Sequence, residues 1–336
     1  MKATHLVAII LSFLSICSCS GTAGYQTLQG YAQGGTYSVK YNPKGVKLKP
    51  EEIHRAVDSI LTTVDTTLSG YNKGSQLSRF NAGERVEVNP MFKDILSMCK
   101  KFYQETDGAL DVAAGPLFDA WGFGFKNESL PSEEAIDSLR SICGMALLKE
   151  DMTSSVEGVS PVLNFNAVAQ GYTCDLVADY LHSLGVHDML VDIGEIYCEG
   201  VNPKGAFWKV GVDRPVDGNM TPGADLDGIW QGDGHGCGIV TSGNYRKYYE
   251  KDGMKYSHTI DPRTGYPVRH TLLSATIVAP TAAQADAYAT YCMVVGLEQA
   301  QAFISSRSDL EGYLIHDNGG VMEEWASDGF NLVVSE

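Results

Sequence analysis

Short apolar runs come in pairs along this chain, and a glycine-bearing turn separates the members of each pair. Residues 188–200 (DMLVDIGEIYCEG) read as two strands broken at Gly194. Lys251-Asp252-Gly253-Met254 reads as a hairpin turn, in which Asp-Gly supplies the positive φ. A β-branched strand at 272–279 is followed by two more, near 311–316 and 321–326. Strands joined by tight turns pair antiparallel, whereas parallel pairs need a crossover of a dozen or more residues. The pattern therefore favours an α+β fold, with mixed, largely antiparallel sheets packed with helices, over a doubly wound parallel sheet. With 36 glycines, the chain has residues to spare for that many turns and close backbone approaches.

Helices interrupt this pattern at recognisable places. Pro50 opens one, with Ile53, Val57, Ile60, Leu61, Val64 and Leu68 at helical spacing. Pro90 opens a second, with Phe92, Ile95, Leu96, Cys99 and Phe102 on one face. A third starts after Pro131 and ends near Gly144. Further helices are expected at 170–184, 281–294 and 297–305, and further strands within 31–42 and at 207–212. Residues 213–233 interleave five aspartates with Gly and Pro. That stretch suits a solvated hairpin loop, and a calcium loop is the other reading, although its spacing matches no EF-hand.

The N-terminus reads as a targeting segment. Lys2 precedes the apolar run Leu6–Leu14, which is too short for a membrane span of about 20 residues. The run ends in Ser15-Ile16-Cys17-Ser18-Cys19, which resembles a lipoprotein cleavage box with Cys19 as the acylated residue. An ordinary secretory signal is the alternative, and both readings export the protein. The expected organisation is a signal peptide over 1–18, a tether over 19–30 and one domain over 31–336. The remaining cysteines, Cys99, Cys143, Cys174, Cys198, Cys237 and Cys292, form no CxxC, and no Cys/His spacing matches a zinc site.

A formal net charge of −16 argues against nucleic-acid partners, which need Lys and Arg to displace counterions. No P-loop, nucleophile elbow, HExxH or complete dinucleotide fingerprint occurs. The chemistry has to lie in less common constellations, of which there are four.

The first is Thr106-Asp107-Gly108-Ala109-Leu110-Asp111, followed by Trp121-Gly122-Phe123-Gly124. Small residues beside aromatics suit a flat ring lying against backbone, or simply a turn over a buried Trp. The second is Asn164-Phe165-Asn166-Ala167, a strand end running into the helix near Gln170. Free N–H groups at that helix start suit an anion, and carbonyls before it suit a cation. The third is Thr241–Tyr245 with His258-Thr259-Ile260-Asp261-Pro262-Arg263-Thr264-Gly265. Asp-Pro-x-Thr-Gly is a turn in its own right, but His258 beside it can move a proton near neutral pH. The fourth is Ala285-Asp286-Ala287-Tyr288-Ala289-Thr290. Asp286 and Thr290 are four apart on one helix face, and a carboxylate with a hydroxyl suits a hard cation such as Mg²⁺.

Taken in order, these stretches resemble the ApbE family, the FAD:protein FMN transferases of bacterial envelopes. The likeness runs from Gly34 to Val334. Its strongest part is His-x-Ile-Asp-Pro-x-Thr-Gly followed by Ala-Asp-Ala-x-x-Thr. The resemblance implies a T-fold-like arrangement and a Mg²⁺-dependent enzyme with FAD as substrate. Such an enzyme moves FMN onto a Thr or Ser hydroxyl of a partner and releases AMP. It implies flavin contacts at Gly34, Tyr71, Ala109, Leu110, Asp111, Asn164, Gln170 and Ile260. It implies metal contacts at Ala167 (through its carbonyl), Asp286 and Thr290, and proton transfer by His258. The implied acceptor is a flavoprotein subunit of a membrane redox complex. The implied location is the cell envelope, with a lipid anchor at Cys19 and the domain facing the periplasm; Ser20 after Cys19, rather than Asp, points to the outer membrane.

The chain departs from the family pattern in three places: Gly34 where Met is frequent, Asn164 for Asp, and Gln170 for Lys or Glu. Two other readings use the same residues, an FAD pyrophosphatase with water as acceptor and a non-catalytic FAD-binding lipoprotein. A structural surface lipoprotein is the reading that needs no flavin. An acidic chain that binds a pyrophosphate needs a local cation or helix N-terminus to offset repulsion, so the charge is an argument for metal dependence.

Overall fold

The structure is a computed structural model that describes residues 24–124, 131–216, 218–219, 221, 223–244, 248–251 and 254–333. The export segment and Cys19 lie outside the described residues, as do Asp252 and Gly253 of the expected hairpin turn. The chain opens with β1 (Gln26–Ala32) and β2 (Gly35–Tyr41), which pair antiparallel. Residues 26–30, expected as part of a tether, are thus strand. Their period-two pattern buries Leu28 against the partner strand's Val39, and that pairing orders what composition alone reads as linker.

The helical half follows as α1 (Pro50–Leu68), α2 (Gln76–Asn81), α3 (Pro90–Glu105), α4 (Gly115–Ala120), α5 (Glu133–Ile142) and α6 (Ala169–Ser183). In α1 the buried positions Ile53, Val57, Leu61, Val64 and Leu68 hold the expected stripe. Asn89 caps α3, accepting from the Phe92 N–H at 2.9 Å, and Pro90 sits where no N–H is needed. The six-residue α2 and α4 were not expected, because fewer than two turns leave too little periodicity to read.

The remaining elements are mostly strands: β3 (Met189–Asp192), β4 (Ile196–Glu199), β5 (Lys209–Asp213), β6 (Leu226–Gln231), β7 (Cys237–Gly243), β8 (Tyr248–Lys251) and β9 (Met254–Ser257). They continue with β10 (Ile260–Asp261), β11 (Tyr266–Pro267) and β12 (Leu272–Ala279). Then come α7 (Ala282–Val295), α8 (Leu297–Ser305), β13 (Glu311–Asn318), β14 (Val321–Ala326) and β15 (Leu332–Val333). Eight strands form one sheet in the order β1-β2-β3-β4-β7-β12-β13-β14, and each neighbouring pair is antiparallel. The α+β expectation is met. The acidic stretch expected as a hairpin loop is not loop throughout: its residues 226–231 are β6, which pairs antiparallel with β5, and β15 extends the pair into a three-stranded sheet. Its Asp227 accepts from the Tyr313 hydroxyl at 2.7 Å.

Side-chain alternation on the large sheet separates two layers. Val240 of β7 joins the core under α3 and α7, whereas its neighbour Ile239 joins Trp208, Trp230, Tyr313 and Phe330 on the other face. Helices therefore cover one face, and the small sheet covers the other. Cys198 and Cys237 lie opposite each other across β4 and β7, and both thiols are free.

Helix α7 sits at the centre of the helical layer and is buried all round, with Ala at half of its buried positions. Two glycines let it sit that deep. A Cβ on Gly171 of α6 would overlap the Ala282 carbonyl, and one on Gly238 of β7 would overlap the Ala282 main chain. Gly171→Ala is expected to destabilise the fold by about 1–3 kcal/mol, because backbone meets backbone and neither side can rotate away. A denaturation midpoint equal to that of the parent would contradict this packing.

Candidate functional site

A cavity of about 440 Å³ opens where several loops meet the C-terminal half of α7, within the usual size range of small-molecule sites. One wall is the turn after α3. Asp107 (φ 48°) and Gly108 (φ 76°) reverse the chain there, and Leu110 N–H donates to Thr106 Oγ1 at 3.1 Å. This presents Ala109, Leu110 and Asp111 to the cavity. Asp111 is anchored rather than free, since Oδ1 accepts from Ala113 N–H (2.8 Å) and Oδ2 from Met145 N–H (2.9 Å). Burial raises its pKa, and those N–H donors oppose the rise.

The second wall is the segment before α6. It is extended and then turned, not strand as expected, and it hangs on the first wall by Asn164 N–H to the Val112 carbonyl (2.7 Å). Asn164 Oδ1 accepts from Asn166 N–H (2.9 Å), a local turn that projects Ala167 and Val168 inward. Tyr71 stands at the mouth, 68% exposed, and its hydroxyl accepts from Asn166 Nδ2 at 3.4 Å.

The third wall carries His258 and Ile260. Thr259 Oγ1 donates to Asn244 Oδ1 (2.8 Å), and Trp121 Nε1 donates to the Gly265 carbonyl (2.8 Å). These bonds pin the Asp-Pro turn from both sides. Phe123 meets the His258 ring edge-on, with centroids 6.3 Å apart.

Helix α7 forms the floor with Thr290 and Met293. One turn earlier, Asp286 lies buried just behind the lining, and its Oδ2 accepts from Gly171 N–H at 3.1 Å. Burial raises the Asp286 pKa well above the ordinary carboxylate range, and the nearby Asp175 carboxylate adds to the rise. Asp175 itself caps α7, accepting from Ala282 N–H (2.7 Å) and Ala283 N–H (2.9 Å). Among the described residues, Asp286 Oδ1 accepts no hydrogen bond and the Thr290 hydroxyl has no partner. Two oxygens one helical turn apart, one on a buried charge with incomplete hydrogen bonding, fit a hard cation.

Of the residues expected at the site, Tyr71, Ala109, Leu110, Asp111, Asn164, Ala167, His258, Ile260 and Thr290 line one cavity. Asp286 stands behind it. Gly34 does not line it. It occupies the two-residue β1–β2 turn with φ 83°, and the neighbouring Gln33 Nε2 donates to Thr173 of α6 at 2.6 Å. Gln170 does not line it either, because its amide leans over Gly194 and donates to the Ile193 carbonyl at 3.4 Å. The α6 start does not leave its N–H groups all open to an anion, since that of Gly171 is taken by Asp286. Phe123, Asn166, Ser242 and Thr259 line the cavity from within the four constellations, although no flavin or metal contact was expected of them, and Phe118 lines it from outside them. The glycine-aromatic run at 122–124 was the one legible signal for Phe123.

The ApbE family profile matches residues 33–314. A protein of Haemophilus influenzae described as FAD:protein FMN transferase is 32% identical over 331 residues, 94% of either chain. One of Escherichia coli K12 with the same description is 35% identical over 297 residues, 85% of this chain and 83% of that one. Among solved structures, the flavin transferase ApbE of Vibrio cholerae superposes with a TM-score of 0.76 at 30% identity. That match covers 91% of this chain and 98% of the other. The flavinyl transferase ApbE of Pseudomonas stutzeri, in its apo form, gives 0.77 at 32% identity over 90% and 95%. With the match spanning the cavity walls and the α7 floor alike, the chain belongs to the ApbE family.

Proposed function

We propose that this protein transfers the FMN half of FAD to a Thr or Ser hydroxyl of a partner protein and releases AMP. The observation that carries the reading is the convergence of His258, the Ala109–Asp111 turn and Thr290 on one cavity, with the buried Asp286 behind it. The acceptor oxygen forms a bond to the FMN-side phosphorus while the pyrophosphate P–O bond breaks. The hydroxyl proton passes to His258, and AMP leaves with the bridging oxygen. Asp286, Thr290 and the Ala167 carbonyl would hold Mg²⁺, which when bound supplies positive charge against the pyrophosphate. The chain's own part is positioning. The anchored Asp111 turn and the Asn164–Asn166 turn shape the flavin wall, and the pinned Asp-Pro turn holds His258 over the reacting end.

The decisive measurement is mass spectrometry of a membrane redox flavoprotein subunit incubated with this protein, FAD and Mg²⁺. The expected result is a gain of one FMN residue on a Thr or Ser. An unshifted acceptor with AMP still released would favour hydrolysis to FMN and AMP instead.

The reading also places the mature chain on the bacterial envelope, lipid-anchored in the membrane through Cys19 and facing the periplasm. Its support is Lys2, the apolar run Leu6–Leu14 and the small Ser18 before Cys19. Cys19→Ser is expected to move the protein from the membrane fraction to the soluble one. Retention in the membrane would refute the anchor.

A further inference from the structure

At the far end of α6 from the cavity, a second group of side chains converges. His182 of the last turn of α6, His187 of the following loop and Glu199 of β4 each offer one ligating atom within 4.8 Å of the other two. His182 Nε2 lies 2.6 Å from Glu199 Oε2, and His187 Nδ1 lies 3.1 Å from Glu199 Oε1. The two imidazole centroids are 5.6 Å apart. Eleven residues of helix separate His182 from Gly171, a rise of about 16 Å, so this group is distinct from the flavin cavity.

We propose that His182, His187 and Glu199 bind one Zn²⁺ ion. Two imidazole nitrogens and one carboxylate oxygen are a zinc-type ligand set, and imidazole disfavours Mg²⁺ and Ca²⁺, which take oxygen. A tetrahedral ion with bonds of about 2.0–2.2 Å sets its ligands roughly 3.4 Å apart, which lies within the 4.8 Å that spans the three ligating atoms. The ion takes the place of the proton now shared between His182 and Glu199. Three protein ligands leave a fourth position open to water.

The surroundings are built for such a site. Glu199 is 19% exposed and is held by the Tyr197 hydroxyl, which donates to Oε2 at 3.2 Å. Trp208 Nε1 donates to the Glu199 carbonyl at 2.8 Å, fixing the main chain beneath the carboxylate. Asp179 Oδ1 stands 4.0 Å from His182 Nδ1, the ring nitrogen that does not face Glu199. Gly236 packs so closely that a Cβ there would press on Tyr197 and Glu199. His187, 72% exposed, stands on the solvent side of the group and has room to adjust. Once bound, the ion joins the end of α6 to the large sheet through β4.

The test is calorimetric titration of the EDTA-stripped, dialysed full chain with Zn²⁺ in buffer saturated with Mg²⁺, which occupies oxygen-only sites. The expected result is one saturable equivalent and a raised melting temperature. His187→Ala, a surface change, and Glu199→Gln should each weaken binding by about tenfold or more and abolish the shift in melting temperature. Co²⁺ in place of Zn²⁺ should give the strong visible absorption of four-coordinate cobalt, lost in His187→Ala. The proposal is overturned if the parent shows no saturable zinc binding, or if His187→Ala binds one equivalent as tightly as the parent.

Discussion

Replacing His258 with Ala is expected to lower FMN transfer by about 10²- to 10⁴-fold while FAD still binds, the range found when a positioned general base is removed. The imidazole lines the cavity beside Phe123, and the segment that carries it is pinned by bonds from Thr259 and Trp121. Those bonds do not depend on the ring, so the walls should survive its removal. FAD affinity, read by fluorescence titration, should stay within a few-fold of the parent. Transfer is followed by the mass of the acceptor in a single turnover. A near-parental transfer rate would remove His258 from the proton-transfer role. Loss of FAD binding together with transfer would make it a substrate-holding residue instead.

Replacing Asp286 with Asn is expected to have an effect as large on transfer and none that weakens the fold. A metal that neutralises phosphate charge contributes several kcal/mol to such a step, and each ~1.4 kcal/mol is tenfold in rate. A fall of at least about a hundredfold follows if the carboxylate holds that metal. Stability should move the other way. The Asn carbonyl still accepts from Gly171 N–H, now without a buried charge beside Asp175. A neutral isostere of a buried, incompletely paired ion is commonly neutral or stabilising, so melting in EDTA should be unchanged or higher. EDTA should stop transfer by the parent, and Mg²⁺ should restore it. Undiminished transfer in EDTA, or in Asp286→Asn, would detach the reaction from this site.

How much was legible in the chain itself follows from the range of the interactions. Helices α1, α3, α5, α6, α7 and α8 were readable because their caps, prolines and apolar spacing are local. Helices α2 and α4 were not, being too short to show a period. Strand β1 hid in what composition reads as tether, because its order comes from pairing with β2. Asp286 and Thr290 could be placed on one helix face from their spacing. The sequence did not say that Asp286 would spend one oxygen on the start of α6, or that Gly34 and Gln170 would lie off the cavity.

By itself, the sequence determined the antiparallel α+β class and the ordered motifs that mark the family. It also determined an acidity against which a bound phosphate needs a local cation or a helix N-terminus. These rest on neighbours a few residues apart and on total charge, neither of which needs a fold. Only the tertiary structure decided which motifs share a wall. It brought residues 71, 111, 164, 258 and 290 around one cavity. It also set His182, His187 and Glu199 together at the other end of α6, where no Cys/His spacing marks a zinc site. Those meetings depend on sheet order and on the depth at which α7 packs against Gly171 and Gly238, and no local pattern encodes either.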